Sequence, residues 1–250
     1  MRVHVLRSGP TPGHPLTGFV IDGTLAVDAG PLGHALSVDE QANISDVLIT
    51  HSHIDHVAGL PVFLDNVYRL RPTCPTIRAN TATLESLQTD LFNGRLMPDF
   101  IALSRTMPPF LCTEEVPAGQ FRVERYTVLP LELDHTVPTT GYLIDDGETA
   151  VAFLTDTAPV PEVFAQLARR PRLMAVFLEC SYPRRLTELA AVTKHLTTEQ
   201  FADAARAFPP GVTVYATHVK PRYWDDIVAE LQASGVANVR VGEPGEVYEV

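Results

Sequence analysis

The chain has 250 residues, 45% of them apolar and 20% charged, with a formal net charge of −11. That composition supports a sizeable core and excludes disorder, so residues 1–250 are expected to form a single domain. The acidic balance and scattered Lys and Arg speak against the basic surface that grips a nucleic-acid polymer, and favour a small substrate. In chain order, Val3–Leu6 and Thr17–Ile21 read as short strands. Asp22-Gly23 signals a hairpin into strand Leu25–Val27, which Asp28-Ala29-Gly30 ends. Val47–Thr50 reads as a buried strand stopping at His51. A helix over Val57–Leu70 follows, with Pro61 near its start and Pro72 past its end. Thr81–Phe92 is amphipathic, with Leu84, Leu87 and Leu91 on one face and Asn93-Gly94 as the stop. Phe121–Leu133 alternates as one or two strands. Gly141–Ile144 and Thr149–Leu154 flank the hairpin signal Asp145-Asp146-Gly147. Pro161–Ala168 reads as a helix, Ala175–Leu178 as a buried strand and Thr198–Ala207 as a helix capped by Thr197 or Thr198. Strand Val212–Tyr215, helix Tyr223–Ala233 and strands Val239–Val241 and Val247–Val250 close the chain. This order predicts an α/β protein with two sheets face to face and helices outside, a four-layer αβ/βα sandwich.

The chemistry concentrates at His51-Ser52-His53-Ile54-Asp55-His56. Ligands this close on a tight loop leave the backbone in different directions. His51 and His53 can face one ion while Asp55 and His56 face another. Imidazole suits zinc and iron, and carboxylate adds the charge a divalent pair needs. His4, His14 and His34 stand alone and read as structural or surface residues. Cys74, Cys112 and Cys180 are far apart and form no Cys-x-x-Cys pair. Reduced thiols are therefore expected, with neither a disulfide framework nor a cysteine metal site. The N-terminal residues show no secretory leader pattern, and no run approaches the roughly 18 apolar residues of a membrane span. A cytoplasmic protein is the expectation, with the oligomeric state left open and a homodimer allowed.

The His51–His56 cluster resembles the signature of the metallo-β-lactamase superfamily. The resemblance extends over nearly the whole chain, because His135, Asp156 and His218 follow in order, each just after a strand. It implies the metallo-β-lactamase fold. It also implies two divalent ions, zinc above iron or manganese. His51, His53 and His135 would hold one ion, Asp55, His56 and His218 the second, and Asp156 would bridge them. Aspartate rather than cysteine at the bridging position is similar to the binuclear hydrolases, not the antibiotic-cleaving lactamases.

Glu179 after strand Ala175–Leu178 and His195 before a helix resemble a glutamate–histidine pair of the phosphodiesterase branch, which includes tRNA 3′-processing nucleases. There the histidine lies near the leaving group and the glutamate orients it. An alkoxide is a poor leaving group, so a protonated imidazole lowers the barrier, and a neighbouring carboxylate raises its pKa. The long basic arm of the tRNA nucleases has no counterpart between His135 and Asp156, where a hairpin fills the interval. His51–Leu60, Leu91–Phe100, Leu178–Tyr182 and Lys194–Thr198 instead resemble class II 3′,5′-cyclic-nucleotide phosphodiesterases. This family implies hydrolysis of cAMP or cGMP to a 5′-nucleotide, with Asp55, His195 and Glu179 as catalytic residues. A thioesterase of the glyoxalase II type or a lactonase would use the same metal positions, and the discriminator is the Glu179/His195 pair, which thioester chemistry does not require. A metal-dependent scaffold without catalysis is the non-enzymatic rival. Phe63, Tyr142 and Tyr182 are candidates for the substrate rim, with core packing the alternative for each.

Overall fold

The apolar runs become fourteen strands in two seven-stranded sheets of a computed structural model that describes residues 1–250. The first sheet contains β1 (Arg2–Val5), β2 (Phe19–Ile21), β3 (Leu25–Val27), β4 (Asp46–Leu48), β5 (Thr76–Ala79) and β6 (Cys112–Glu115). The second contains β7 (Phe121–Val123), β8 (Tyr126–Leu133), β9 (Thr139–Asp145), β10 (Ala150–Leu154), β11 (Leu173–Glu179), β12 (Thr213–Thr217) and β13 (Val239–Val241). The last strand, β14 (Val247–Glu249), returns to the first sheet beside β1. The strand orders are β14-β1-β2-β3-β4-β5-β6 and β13-β12-β11-β10-β9-β8-β7. In each sheet a set of antiparallel strands gives way to a parallel set, β3 to β6 in the first and β10 to β13 in the second.

Three apolar clusters define the layers. The central one lies between the sheets, where Phe19, Phe153 and Phe177 meet. The Phe153 and Phe177 rings stack at 5.3 Å, and Phe19 tilts onto Phe153 at 5.1 Å. Burying each such ring contributes roughly 2 kcal/mol. A second cluster joins the outer face of the first sheet to helix Leu60–Val67, through Phe63 and Leu64. A third joins the second sheet to helices Pro161–Ala168, Thr198–Arg206 and Trp224–Ala233. The result is the expected four-layer sandwich.

Two local readings change and a third, left between one strand and two, is decided. The helix expected over Val57–Leu70 starts earlier and is divided into Ile54–Val57 and Leu60–Val67. Tertiary partners take its backbone groups at the break. Gly59 N donates to Ala29 O at 3.0 Å, and Asp55 O accepts from Thr17 N at 2.9 Å. Pro61 then falls in the first turn of the second piece, where its missing N–H costs no bond. The helix expected over Thr81–Phe92 is regular only to Ser86, and Leu87–Leu91 widens into a π turn. Phe121–Leu133 resolves into two strands that turn at Glu124, whose φ is +50°.

The topology decides where chemistry can sit. His51, Asp156, Glu179 and His218 follow or end the parallel strands β4, β10, β11 and β12 at their C-terminal edge. Strand β8 is antiparallel to β9, which is antiparallel to β10, so His135 leaves β8 at the same edge. An open α/β sheet places its binding crevice there.

Candidate metal centre

All nine candidate residues from the sequence meet at that edge. His51, His53, His135 and Asp156 bring their ligand atoms within 4.8 Å of one another, and so do Asp55, His56, Asp156 and His218. The two carboxylate oxygens of Asp156 divide the work. Its Oδ2 lies 3.7 Å from His51 Nε2 and 3.7 Å from His135 Nε2. Its Oδ1 lies 3.3 Å from His56 Nε2 and 3.5 Å from His218 Nε2. Asp55 Oδ2 completes the second group, 3.1 Å from His218 Nε2. Asp55 and His56 sit in the first turn of helix Ile54–Val57 rather than on the expected loop, with His53 as its N-cap.

His56 Nε2 and Asp156 Oδ1 are buried and have no hydrogen-bond partner. Leaving such atoms unsatisfied costs about 1–3 kcal/mol each. Their lone pairs converge with those of the other ligands, which is the demand a divalent cation meets. Five imidazoles and two carboxylates suit a binuclear site. Burial and the neighbouring imidazoles push His51 well below the ordinary histidine pKa, and burial likewise lowers His135. Both rings are then neutral and free to bind metal. Burial opposes charge on Asp156, yet His218 and His56 beside it keep its carboxyl well below the usual range.

A further set of groups fixes the imidazole rings. Asp28 is fully buried and accepts from His56 Nδ1 at 2.7 Å. It also accepts from Thr50 N at 2.8 Å and from the Thr50 hydroxyl. That hydroxyl lies 3.0 Å from His51 Nδ1, so one carboxylate orients both rings. His135 Nδ1 donates to Lys194 O at 3.0 Å. His218 Nδ1 donates to the Ser181 hydroxyl at 2.8 Å. In each of these four rings Nδ1 is engaged outside the centre and Nε2 is left facing in. The backbone is strained to achieve this: Asp28, Lys194 and His218 have φ of +59°, +53° and +53°.

Glu179 is fully buried at the end of β11. It accepts from Thr157 N at 2.7 Å, the Ser181 hydroxyl at 2.7 Å, His195 Nδ1 at 2.8 Å and Leu196 N at 3.1 Å. Four donors occupy its lone pairs, so it positions His195 directly and His218 through Ser181. Burial opposes the charged form of His195. The charge and hydrogen bond of Glu179, aided by Asp156, outweigh it and raise the His195 pKa above its ordinary value. The His195 ring lies 5.0 Å from that of His135 and stacks at 5.2 Å on that of His218. Its Nε2 makes no hydrogen bond within the protein.

Sequence reasoning missed Asp28, Thr50 and Ser181. Asp28 was legible only as the end of a strand, although it closes β3 at the same edge as the ligands. Of the three rim aromatics, Phe63 and Tyr142 are core residues. Phe63 fills the outer cluster, and the Tyr142 hydroxyl donates to Ile49 O at 2.9 Å between the sheets. Tyr182 does adjoin the site, edge-on to His195 at 5.8 Å. The Lys220 ammonium lies 5.5 Å from the Tyr182 ring. His14 is buried behind His218. Its N–H donates to Val219 O at 2.8 Å, and its Nδ1 accepts from Val219 N at 3.2 Å.

Residues 19–219 match the family model described as "Beta-lactamase superfamily domain". The chain is 32% identical over 146 residues to the nuclear ribonuclease Z of Triticum aestivum, covering 53% of this chain and 75% of that protein. It is 27% identical over 95 residues to 3′,5′-cyclic-nucleotide phosphodiesterase 1 of Saccharomyces cerevisiae, covering 38% of this chain and 26% of that protein. The fold superposes on unliganded yeast PDE1 with a TM-score of 0.77 at 19% identity, covering 98% of each chain. The match over most of its length, together with the His/Asp cluster at the sheet edge, shows that the chain belongs to the β-lactamase superfamily domain family, hydrolases of the metallo-β-lactamase fold.

Proposed function

We propose that this protein is a binuclear metal-dependent phosphodiesterase that hydrolyses 3′,5′-cyclic nucleotides to 5′-nucleotides. One observation carries the reading. Glu179 lies 2.8 Å from His195 Nδ1 beside the metal centre and raises the pKa of that ring, while Nε2 has no partner within the protein. Thioester hydrolysis, in which a thiolate leaves, has no need of that acid, whereas cleavage of a phosphodiester to a ribose alkoxide does.

In this reading His51, His53, His135 and Asp156 would hold one ion, and Asp55, His56, His218 and Asp156 would hold the other. The imidazole-rich set favours zinc, with iron or manganese as alternatives. When bound, such a pair supplies positive charge for the phosphoryl oxygens and a water acidified toward neutrality. Asp55 is the more exposed of the two carboxylates and orients the incoming water. As the water oxygen bonds to phosphorus, the bond to O3′ breaks. His195 Nε2 delivers its proton to that oxygen, and Glu179 stabilises the imidazolium until then. Tyr182 and Lys220 form the wall next to His195, where the ribose and phosphate would lie.

A linear phosphodiester at an RNA 3′ end is the second reading, favoured by the similarity to ribonuclease Z. The net charge of −11 and the hairpin of β9 and β10 between His135 and Asp156 weigh toward a small substrate. Hydrolysis assays on cAMP, cGMP, an RNA with a 3′ extension and a glutathione thioester separate these readings. Turnover of the cyclic nucleotides supports the proposal. Turnover confined to the RNA or the thioester overturns it.

A further inference from the structure

Strand β6 is the outer strand of the first sheet, and all four of its residues are exposed. It pairs with β5 alone. Side-chain support gathers toward its C-terminal half, where Arg78 pairs with Glu114 and the Thr81 hydroxyl bonds Glu115. At its N-terminal end Cys112 N donates to Pro75 O at 2.9 Å. That bond brings Cys112 alongside Cys74, and the two sulfurs lie 3.3 Å apart. Both thiols are free, Cys112 exposed and Cys74 half-buried. Edge strands that carry no such protection fray and pair with other chains.

We propose that Cys74 and Cys112 are a disulfide-forming site, a reversible staple that fastens the edge strand β6 to the sheet. The sulfurs need to approach by about 1.2 Å to reach a bonded separation, and the hydrogen bond between Cys112 and Pro75 already fixes the flanking backbone. The oxidant is a small-molecule disulfide such as oxidised glutathione. The exposed Cys112 thiolate attacks one sulfur of it, forms a mixed disulfide and releases one small thiol. The Cys74 thiolate then attacks the Cys112 sulfur and releases the second. Two protein thiols are oxidised, one small disulfide is reduced to two thiols, and the two protons pass to the thiolates released. Burial and the adjacent thiol push the Cys74 thiol up to about 11, so its thiolate is scarce near neutral pH and the second step, favoured by the 3.3 Å approach of the sulfurs, quickens as pH rises. Cys180 is fully buried and serves as an internal control. The bond would span 38 positions of sequence, a long loop whose closure restricts the unfolded chain.

The test is equilibration of the full-length protein in glutathione redox buffers, followed by thiol alkylation, non-reducing peptide mapping and amide exchange. The expected product has lost two hydrogen masses, links the Cys74 and Cys112 peptides, and leaves Cys180 as a thiol. Amide exchange over Cys112–Glu115 is expected to slow by about tenfold in that product. Cys180→Ser should still form the link, and Cys112→Ser should not. Three alkylatable thiols under oxidising buffer, a stable glutathione adduct on Cys112 without the link, or a bond between two chains would each overturn the proposal.

Discussion

One oxygen of Glu179 accepts the Nδ1–H of His195 at 2.8 Å, and the other accepts from Ser181, which in turn receives the Nδ1–H of His218. A single buried carboxylate thus positions the proposed general acid and one of the proposed metal ligands. This linkage ties the proposed acid and the proposed ligand to the end of β11.

Replacing His195 tests the acid role. His195→Ala is expected to lower kcat on a cyclic nucleotide by roughly 10²- to 10⁴-fold. Hydrolysis of bis(p-nitrophenyl) phosphate should fall far less, because nitrophenolate leaves without a proton. Metal content should remain that of the parent protein. Equal losses on the two substrates, or loss of metal, would count against the assignment.

The pH profile carries the same test in a different form. His195 must be protonated to act, so activity on the cyclic nucleotide falls as pH rises through its pKa, which Glu179 raises. Glu179→Gln removes the charge that raises it. The alkaline limb of kcat/KM is therefore expected to move to lower pH in Glu179→Gln. A limb that stays in place or moves to higher pH would mean that Glu179 does not tune this group.

Asp28 touches neither substrate nor ion in this account, yet it holds His56 directly and His51 through Thr50. Asp28→Asn should weaken metal binding by roughly 10- to 100-fold, as loss of such an outer partner does. Competition with a chromophoric chelator measures this. Unchanged affinity for both ions would show that the strand context alone orients the rings.

Gly30 shows how closely two ligand-bearing segments approach. A Cβ there would sit 2.0 Å from Asp55 O and 2.7 Å from Thr17 O. Gly30→Ala is expected to destabilise the fold by about 1–3 kcal/mol in urea titration, because backbone rather than a flexible side chain must yield. Affinity for the ion at the Asp55 side should fall with it. A variant as stable as the parent would contradict this packing.

Much of the site could be read from the sequence because His51, His135, Asp156, Glu179 and His218 each stand just after an apolar run, as His51 does after Val47–Thr50 and His218 after Val212–Tyr215. A strand's end is a local property, and parallel strands bring their C-terminal ends together. The supporting groups were hidden for the opposite reason. Asp28 meets His56 and Ser181 meets His218 only through strand order and register, and neither residue type is distinctive in a turn. The contact of Cys74 with Cys112 depends likewise on the pairing of β5 with β6. Tyr142 lies in an alternating strand, and alternation does not say which face meets the other sheet. The early start of helix Ile54–Val57 and its break at Gly59 follow from bonds to Thr17 and Ala29, far away in sequence.

The most direct measurement is hydrolysis of cAMP and cGMP by the purified protein, with metal analysis of the same sample. The account predicts release of a 5′-nucleotide by protein carrying two divalent ions per chain, and loss of that activity on chelation. Protein that carries both ions, cleaves an RNA 3′ extension or a thioester, and leaves both cyclic nucleotides intact would contradict it.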